Sequence, residues 1–212
     1  RDIFTRTMAV TLGLGVLISG LSLLFLDELV TLLGANAEIR PLVTGYMRII
    51  LCFAPVLIAG LTLYYFVRVD GRPVLAAIGL LGFSVVNVLL NYLFIVELGW
   101  GILGAAWASA LADMFIFLIL VTHLFSPRCS LRLVPVRGNW DVVARAAWNG
   151  FSEFTNELSV GLVVWLFNWV MISRLGVVGV AAYTIIGYLV MLGLEVCYGI
   201  SESLQPTVSK NL

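Results

Sequence analysis

Charged residues are scarce in this chain. They make up 11% of its 212 residues, against about 25% in a typical soluble domain, which excludes an ordinary water-exposed surface. Twelve basic and twelve acidic side chains cancel, so nucleic acid is not a natural partner. Histidine occurs once, at position 123, and neither HExxH nor GxSxG is found. That leaves an intramembrane enzyme without its nucleophile–base pair or metal cluster, so no enzyme is expected. Cysteine is sparse: Cys52, Cys129 and Cys197 are odd in number and scattered, with neither a disulfide framework nor metal-ligand spacing. The chain opens on Arg1-Asp2 with no methionine and no signal peptide, and reads as a piece of something longer.

What is abundant is apolar sequence. Hydrophobic residues reach 61%, and the mean hydropathy is +1.07. A spanning helix needs about 20 mostly apolar residues, and six segments qualify, near 8–26, 44–67, 74–96, 102–125, 153–173 and 177–204. The runs are too long and continuous for barrel strands. The expected fold class is therefore all-α, a polytopic membrane protein with six transmembrane helices. Lysine and arginine set its orientation. With Arg1, Arg6, Arg68, Arg72, Arg128, Arg132, Arg137, Arg145 and Lys210 inside, nine of the twelve basic residues are cytoplasmic. Only Arg40, Arg48 and Arg174 fall toward the other side, and both ends of the chain face the cytoplasm. The longest connection, Ser126 to Gly150, is the best boundary. It contains Pro127, Pro135 and Gly138, and a charged, partly amphipathic piece, Trp140 to Trp148, suited to the membrane surface.

The stretch Phe66 to Ser109 holds three short patterns in order. A basic turn reads Arg68-Val69-Asp70-Gly71-Arg72-Pro73. An apolar helix follows with Asn87 and Asn91 four apart, hence on one face, and Ser84 a turn before them. A reversal then leads into Gly101-Ile102-Leu103-Gly104-Ala105-Ala106-Trp107-Ala108-Ser109. In order and spacing these resemble the multidrug and toxic compound extrusion (MATE) transporters of bacteria. The end of the chain, Gly199 to Asn211, resembles that family's eighth-helix signature. The resemblance implies a part of a twelve-helix, two-lobe fold, covering about the third to eighth helix. Residues 1–126 would be N-lobe helices three to six, 127–149 the cytoplasmic interlobe linker, and 150–212 C-lobe helices seven and eight. The first two and last four helices would be missing partners from the same polypeptide.

Polar groups at membrane depth are the most informative positions. Asn87 and Asn91 admit two readings: amides bonding across helices, or oxygen ligands for a cation, with Ser109 as a third. That trio is the one metal site considered, for Na⁺. In the family the second position of the pair is often aspartate; Asn91 stands there, so this helix offers no titratable group. Asp113 lies a turn beyond Ser109 and calls for a partner, a proton or water. His123, near the helix end, reads as an interfacial side chain reaching for the surface. In the fifth segment Glu153, Asn156 and Glu157 share one side, with Asn168 eleven residues on. Glu153 suits a solvated helix start, and Glu157 a coupling site. The pattern around them resembles the seventh helix of one bacterial MATE subgroup, where acidic residues are implicated in coupling or cargo binding. The sixth segment sets Tyr188, Glu195 and Glu202 at i, i+7 and i+14, with Glu195 the deeper carboxylate. Tyrosine and methionine surfaces there either pack or cover apolar cations.

The expected function is secondary active export of cationic or amphiphilic drug-like compounds in exchange for H⁺ or Na⁺, by rocking of two lobes in the cell (inner) membrane. No cofactor is expected beyond the coupling ion. A lipid-linked oligosaccharide flippase of the same superfamily and a non-transporting fragment are the alternatives. The flippase would carry more cationic residues in its cavity.

Overall fold

The computed structural model describes residues 2–35, 37, 39–127, 129–131, 134 and 140–211, with residues 177 and 202–211 described by backbone alone. Among the described residues every regular element is helical: α1 (Asp2–Leu24), α2 (Leu26–Leu32), α3 (Arg40–Val69), α4 (Pro73–Asn91) with a π-helical turn after it (Tyr92–Glu97), α5 (Gly101–Leu124) and α6 (Asp141–Asn211). Six stretches of the described residues are long and apolar enough to cross a membrane: Asp2–Leu24, Arg40–Val69, Pro73–Glu97, Gly101–Leu124, Asp141–Gly176 and Val178–Ser201. Residue contacts divide the chain into two compact units, Arg1–Ala146 and Ala147–Leu212.

In the first unit α1 begins earlier than its apolar run. Arg6 returns two hydrogen bonds to Asp2, Nε to Oδ1 at 3.0 Å and Nη2 to Oδ2 at 2.5 Å, which closes the first turn. Asp2 also sits favourably at the helix's positive end. Arg6 is buried beneath Trp140, its guanidinium 5.5 Å from the ring centroid. The connection after α1 is not wholly a loop as expected. Leu26 and Val30, four apart and buried, fix the short helix α2 against α3.

Helix α3 runs 30 residues, about 45 Å at 1.5 Å per residue, and stays one helix through Pro55. Pro55 has no N–H for the carbonyl of Leu51. Ser19 of α1 donates its hydroxyl to that carbonyl instead. Gly15, a turn earlier on α1, lets the helices meet: a Cβ there would lie 3.0 Å from Ile58 Cδ1 and 3.5 Å from Pro55 Cα. The carbonyl that Pro55 frees is thus met by an interhelical bond.

Helix α5 is the centre of this unit, packed between α3 and α4. Two alanine pairs show why. Ala106 and Ala110 lie on one stripe and Ala108 and Ala112 on another, and all four are buried. Small residues on the neighbours complete the fit, with Gly45 against Leu103 and Gly79 against Ile116. Between apolar helices in lipid there is no hydrophobic drive, so close approach of backbones supplies the packing. At one end the core gathers Phe4, Leu63, Val67, Ala76, Leu120, Cys129 and Leu131.

The second unit is a helical hairpin. Gly176 leaves helical geometry at φ 63°, ψ −157°, where residues with a Cβ are strained. Phe167 before the break stacks on Tyr183 after it, ring centroids 5.3 Å apart. Most of its side chains face outward within the unit.

Candidate functional site

The asparagine pair does come together with Ser109. Asn91 Nδ2 donates to the Asn87 side-chain Oδ1 at 3.0 Å and to the Asn87 backbone carbonyl at 2.9 Å. Asn87 Nδ2 in turn points at Ser109 Oγ, 3.4 Å away on α5. Helical spacing places the two amides on one face, and the tight reversal after α4 swings α5 back beside it. All three residues are half-buried. Asp113, also half-buried, stands one turn from Ser109 along α5, and no hydrogen bond or ion pair holds it among the described residues. Ser84 is exposed and bonds its own helix, to the carbonyl of Leu80 at 3.2 Å, so it stands apart. The arrangement offers a chain of amide and hydroxyl oxygens across two spans, with a carboxylate one turn off.

Just beyond Asn91 the helix widens, which the hydrophobic pattern does not reveal. Tyr92–Glu97 form a π-helical turn, closed by Leu98 N–H to the Leu93 carbonyl at 2.9 Å. Gly104 of α5 lies against it: a Cβ there would be 2.9 Å from Phe94 Cβ and 3.1 Å from the Phe94 carbonyl oxygen. Phe94 also stacks on Trp100 at 5.0 Å. The π-turn thus seats the α4–α5 reversal one turn from the asparagines.

In the second unit Glu153, Asn156, Glu157 and Glu195 are all exposed, and none has a hydrogen-bond or ion-pair partner among the described residues. The structure does not gather them into a site. Asn168 is different: its Oδ1 is buried and accepts no hydrogen bond among the described residues. The side chain of Glu202 lies outside the described residues.

The reading of His123 as a surface-seeking side chain is corrected. Its side chain is 1% exposed, and Nε2 lies 2.7 Å from Asp70 Oδ2. Asp70 also accepts from Ser130, through its backbone N–H at 3.0 Å and through its hydroxyl. Burial raises the Asp70 carboxyl, but the hydrogen bonds from Ser130 and His123, with the His123 charge, outweigh it and hold the group below its ordinary value of 3.8. Cys129 is drawn in as well, buried with its thiol 3.2 Å from the Leu131 carbonyl. Separations of 53 and 60 residues hide this cluster from a spacing search. The Asp70-Gly71 turn, with Gly71 at φ 80°, was the one local sign that Asp70 could face inward.

Comparison with known proteins bears on what this polar assembly belongs to. The MatE family model matches residues 1–93. The chain is 24% identical over 200 residues to the multidrug export protein MepA of Staphylococcus saprophyticus, covering 93% of this chain and 44% of that protein. A multidrug resistance MATE family transporter of the MOP superfamily, solved in an inward-facing conformation, superposes with a TM-score of 0.81 at 25% identity, over 91% of this chain and 44% of that one. The chain is similar to MATE family transporters in sequence and in fold. A MOP superfamily transporter from Pyrococcus furiosus, described as having a binding pocket of reverse polarity, superposes at 0.78 with 26% identity, over 91% and 43%. The chain spans less than half the length of the relatives it matches, and those relatives are transporters, not enzymes. The all-α architecture with six spanning-length helices agrees with them.

Proposed function

We propose that these residues serve a secondary active antiporter, one that exports cationic or amphiphilic drug-like compounds in exchange for H⁺ or Na⁺ as two lobes rock in the cell membrane. The observation that carries this reading is the Asn91–Asn87–Ser109 chain bridging α4 and α5, with Asp113 one turn away. The side-chain oxygens of Asn87, Asn91 and Ser109 suit Na⁺, and Asp113 supplies a charge that a proton or cation can neutralise. Na⁺ would displace the amide donor contacts and take the oxygens in their place. An ion drives transport only if it favours one lobe arrangement over the other, and a site shared by two helices changes shape when they shift. MepA is named a multidrug export protein, which fits this direction of transport. Glu157 and Glu195 would provide counter-charge for cationic cargo in the second unit, where they stand exposed. The acidity of Asp113, Glu157 and Glu195 favours cationic cargo over the anionic headgroup of a lipid-linked oligosaccharide. Positive-inside charge puts both ends of the chain in the cytoplasm.

Vesicles carrying the full-length protein test the reading, with efflux of a fluorescent organic cation followed under an imposed Na⁺ or pH gradient. One of the two gradients should drive efflux. Efflux indifferent to both, or unchanged in Glu157→Gln and Glu195→Gln, would sink the roles assigned here.

A further inference from the structure

The cluster at the end of α5 has chemistry that ion-coupled transport does not use. A carboxylate oxygen of Asp70, a ring nitrogen of His123 and the sulfur of Cys129 all lie within 4.8 Å of one another. It is the one such group of three among the described residues. His123 is 2% exposed and Cys129 6%, so the donors converge on an interior point. They come from three places: the turn after α3, the last turn of α5, and the chain beyond α5.

We propose that Asp70, His123 and Cys129 form a binding site for a divalent transition-metal ion, with Zn²⁺ the best match. One oxygen, one imidazole nitrogen and one thiolate sulfur form a borderline-soft donor set, unsuited to Mg²⁺ or Ca²⁺, which take oxygen. Bonds of about 2.0–2.3 Å place tetrahedral Zn²⁺ ligands about 3.3–3.8 Å apart. The His123–Asp70 pair at 2.7 Å opens by less than about 1 Å to reach that spacing, and the other pairs, all within 4.8 Å, close by about 1 Å at most. The fourth position falls to water or to the Ser130 hydroxyl, already bound to Asp70. Charge closes too: Zn²⁺ with one carboxylate and one thiolate is neutral, as a buried site requires. On binding, the Cys129 thiol gives up its proton and its bond to the Leu131 carbonyl, and His123 coordinates as neutral imidazole. No electrons are transferred. The bound ion fastens the start of the 127–149 connection to the α3–α4 turn and the end of α5.

Detergent-purified protein tests this directly, with Cys52 and Cys197, both exposed, first replaced by serine. Zn²⁺ is titrated against a chromophoric chelator, and Co²⁺ is added separately to look for a thiolate-to-metal charge-transfer band. One equivalent of Zn²⁺ and a thiolate band are expected. Cys129→Ser should abolish the band and weaken Zn²⁺ binding more than the 10–100-fold typical of outer-shell changes. His123→Gln should weaken it similarly. Because His123→Gln also breaks the Asp70 pair, Cys129→Ser is the deciding variant, with circular dichroism to show unchanged helicity. Binding below one equivalent, or a Zn²⁺ affinity that Cys129→Ser leaves unchanged, overturns the site.

Discussion

Ser19 of α1 hydrogen-bonds the carbonyl of Leu51, the α3 carbonyl left without an amide partner by Pro55 four residues on. In hydrocarbon no water can serve such a group, so the hydroxyl stabilises both the proline turn and the α1–α3 contact. Ser19→Ala is expected to destabilise the first unit by about 1–3 kcal/mol, the range for a stranded buried acceptor. Pro55→Ala restores the intrahelical N–H, and in that background Ser19→Ala should cost clearly less. Unfolding of the four variants in detergent gives the coupling, and equal costs in both backgrounds would contradict the account.

Gly104 and Gly13 make an internal comparison. A Cβ on Gly104 would press to 2.9 Å from Phe94 Cβ and 3.1 Å from Phe94 backbone atoms, which cannot yield as a flexible side-chain end does. Gly13 has nothing within 4 Å. Gly104→Ala should therefore destabilise by about 1–3 kcal/mol through overpacking at the π-turn. Gly13→Ala, a helical glycine in open space, should be neutral or stabilise by up to about 1 kcal/mol. A detergent melting temperature that falls as much for Gly13→Ala as for Gly104→Ala would refute the packing explanation.

Asp70 sets an acid limit on the same unit. Burial acts to raise its carboxyl, yet the Ser130 and His123 contacts hold it below the ordinary value, so its folded pKa lies under its unfolded one. The stabilisation is thus complete above the unfolded pKa of about 3.9 and is lost as pH falls through the folded value. With chelator present to keep metal away, Asp70→Asn should lower the melting temperature by a constant amount near neutral pH. On acidification below about 4 that gap should shrink. A gap undiminished at the acid end would show that Asp70 acts otherwise.

The spans were legible because long apolar runs leave a chain in lipid few choices but helix. The Asn87–Asn91–Ser109 contact was legible for a related reason: four-residue spacing and a short reversal put those groups side by side whatever the rest does. Asp70 and His123 were not, since their meeting depends on where a 30-residue helix ends and on how α5 returns beside it. The π-turn at Tyr92–Glu97 was hidden as well, because its apolar residues fit an α-helix equally well. Glu153, Glu157 and Glu195 illustrate the opposite limit. Spacing put Glu153 and Glu157 on one side of the fifth segment and Glu195 on a stripe of the sixth, yet within the second unit they face outward and hold no partner among the described residues.

The asparagine chain gives the sharpest test of ion coupling. If Asn87 and Ser109 supply oxygens to the driving cation, removing one should weaken ion binding without removing the cargo surface. Asn87→Ala and Ser109→Ala are each expected to raise the Na⁺ concentration for half-maximal efflux about tenfold, the equivalent of 1.4 kcal/mol. Cargo dependence at saturating Na⁺ should change little. Asp113→Asn, which removes the carboxylate one turn from Ser109, should cost more and flatten the pH dependence if protons are the driving ion. Ser84→Ala is the control, since Ser84 is exposed and bonds its own helix at Leu80. Efflux measured in vesicles at stepped Na⁺ and pH resolves these effects. Ion dependence in Asn87→Ala indistinguishable from that in Ser84→Ala would mean that the amides pack α4 against α5 and bind nothing.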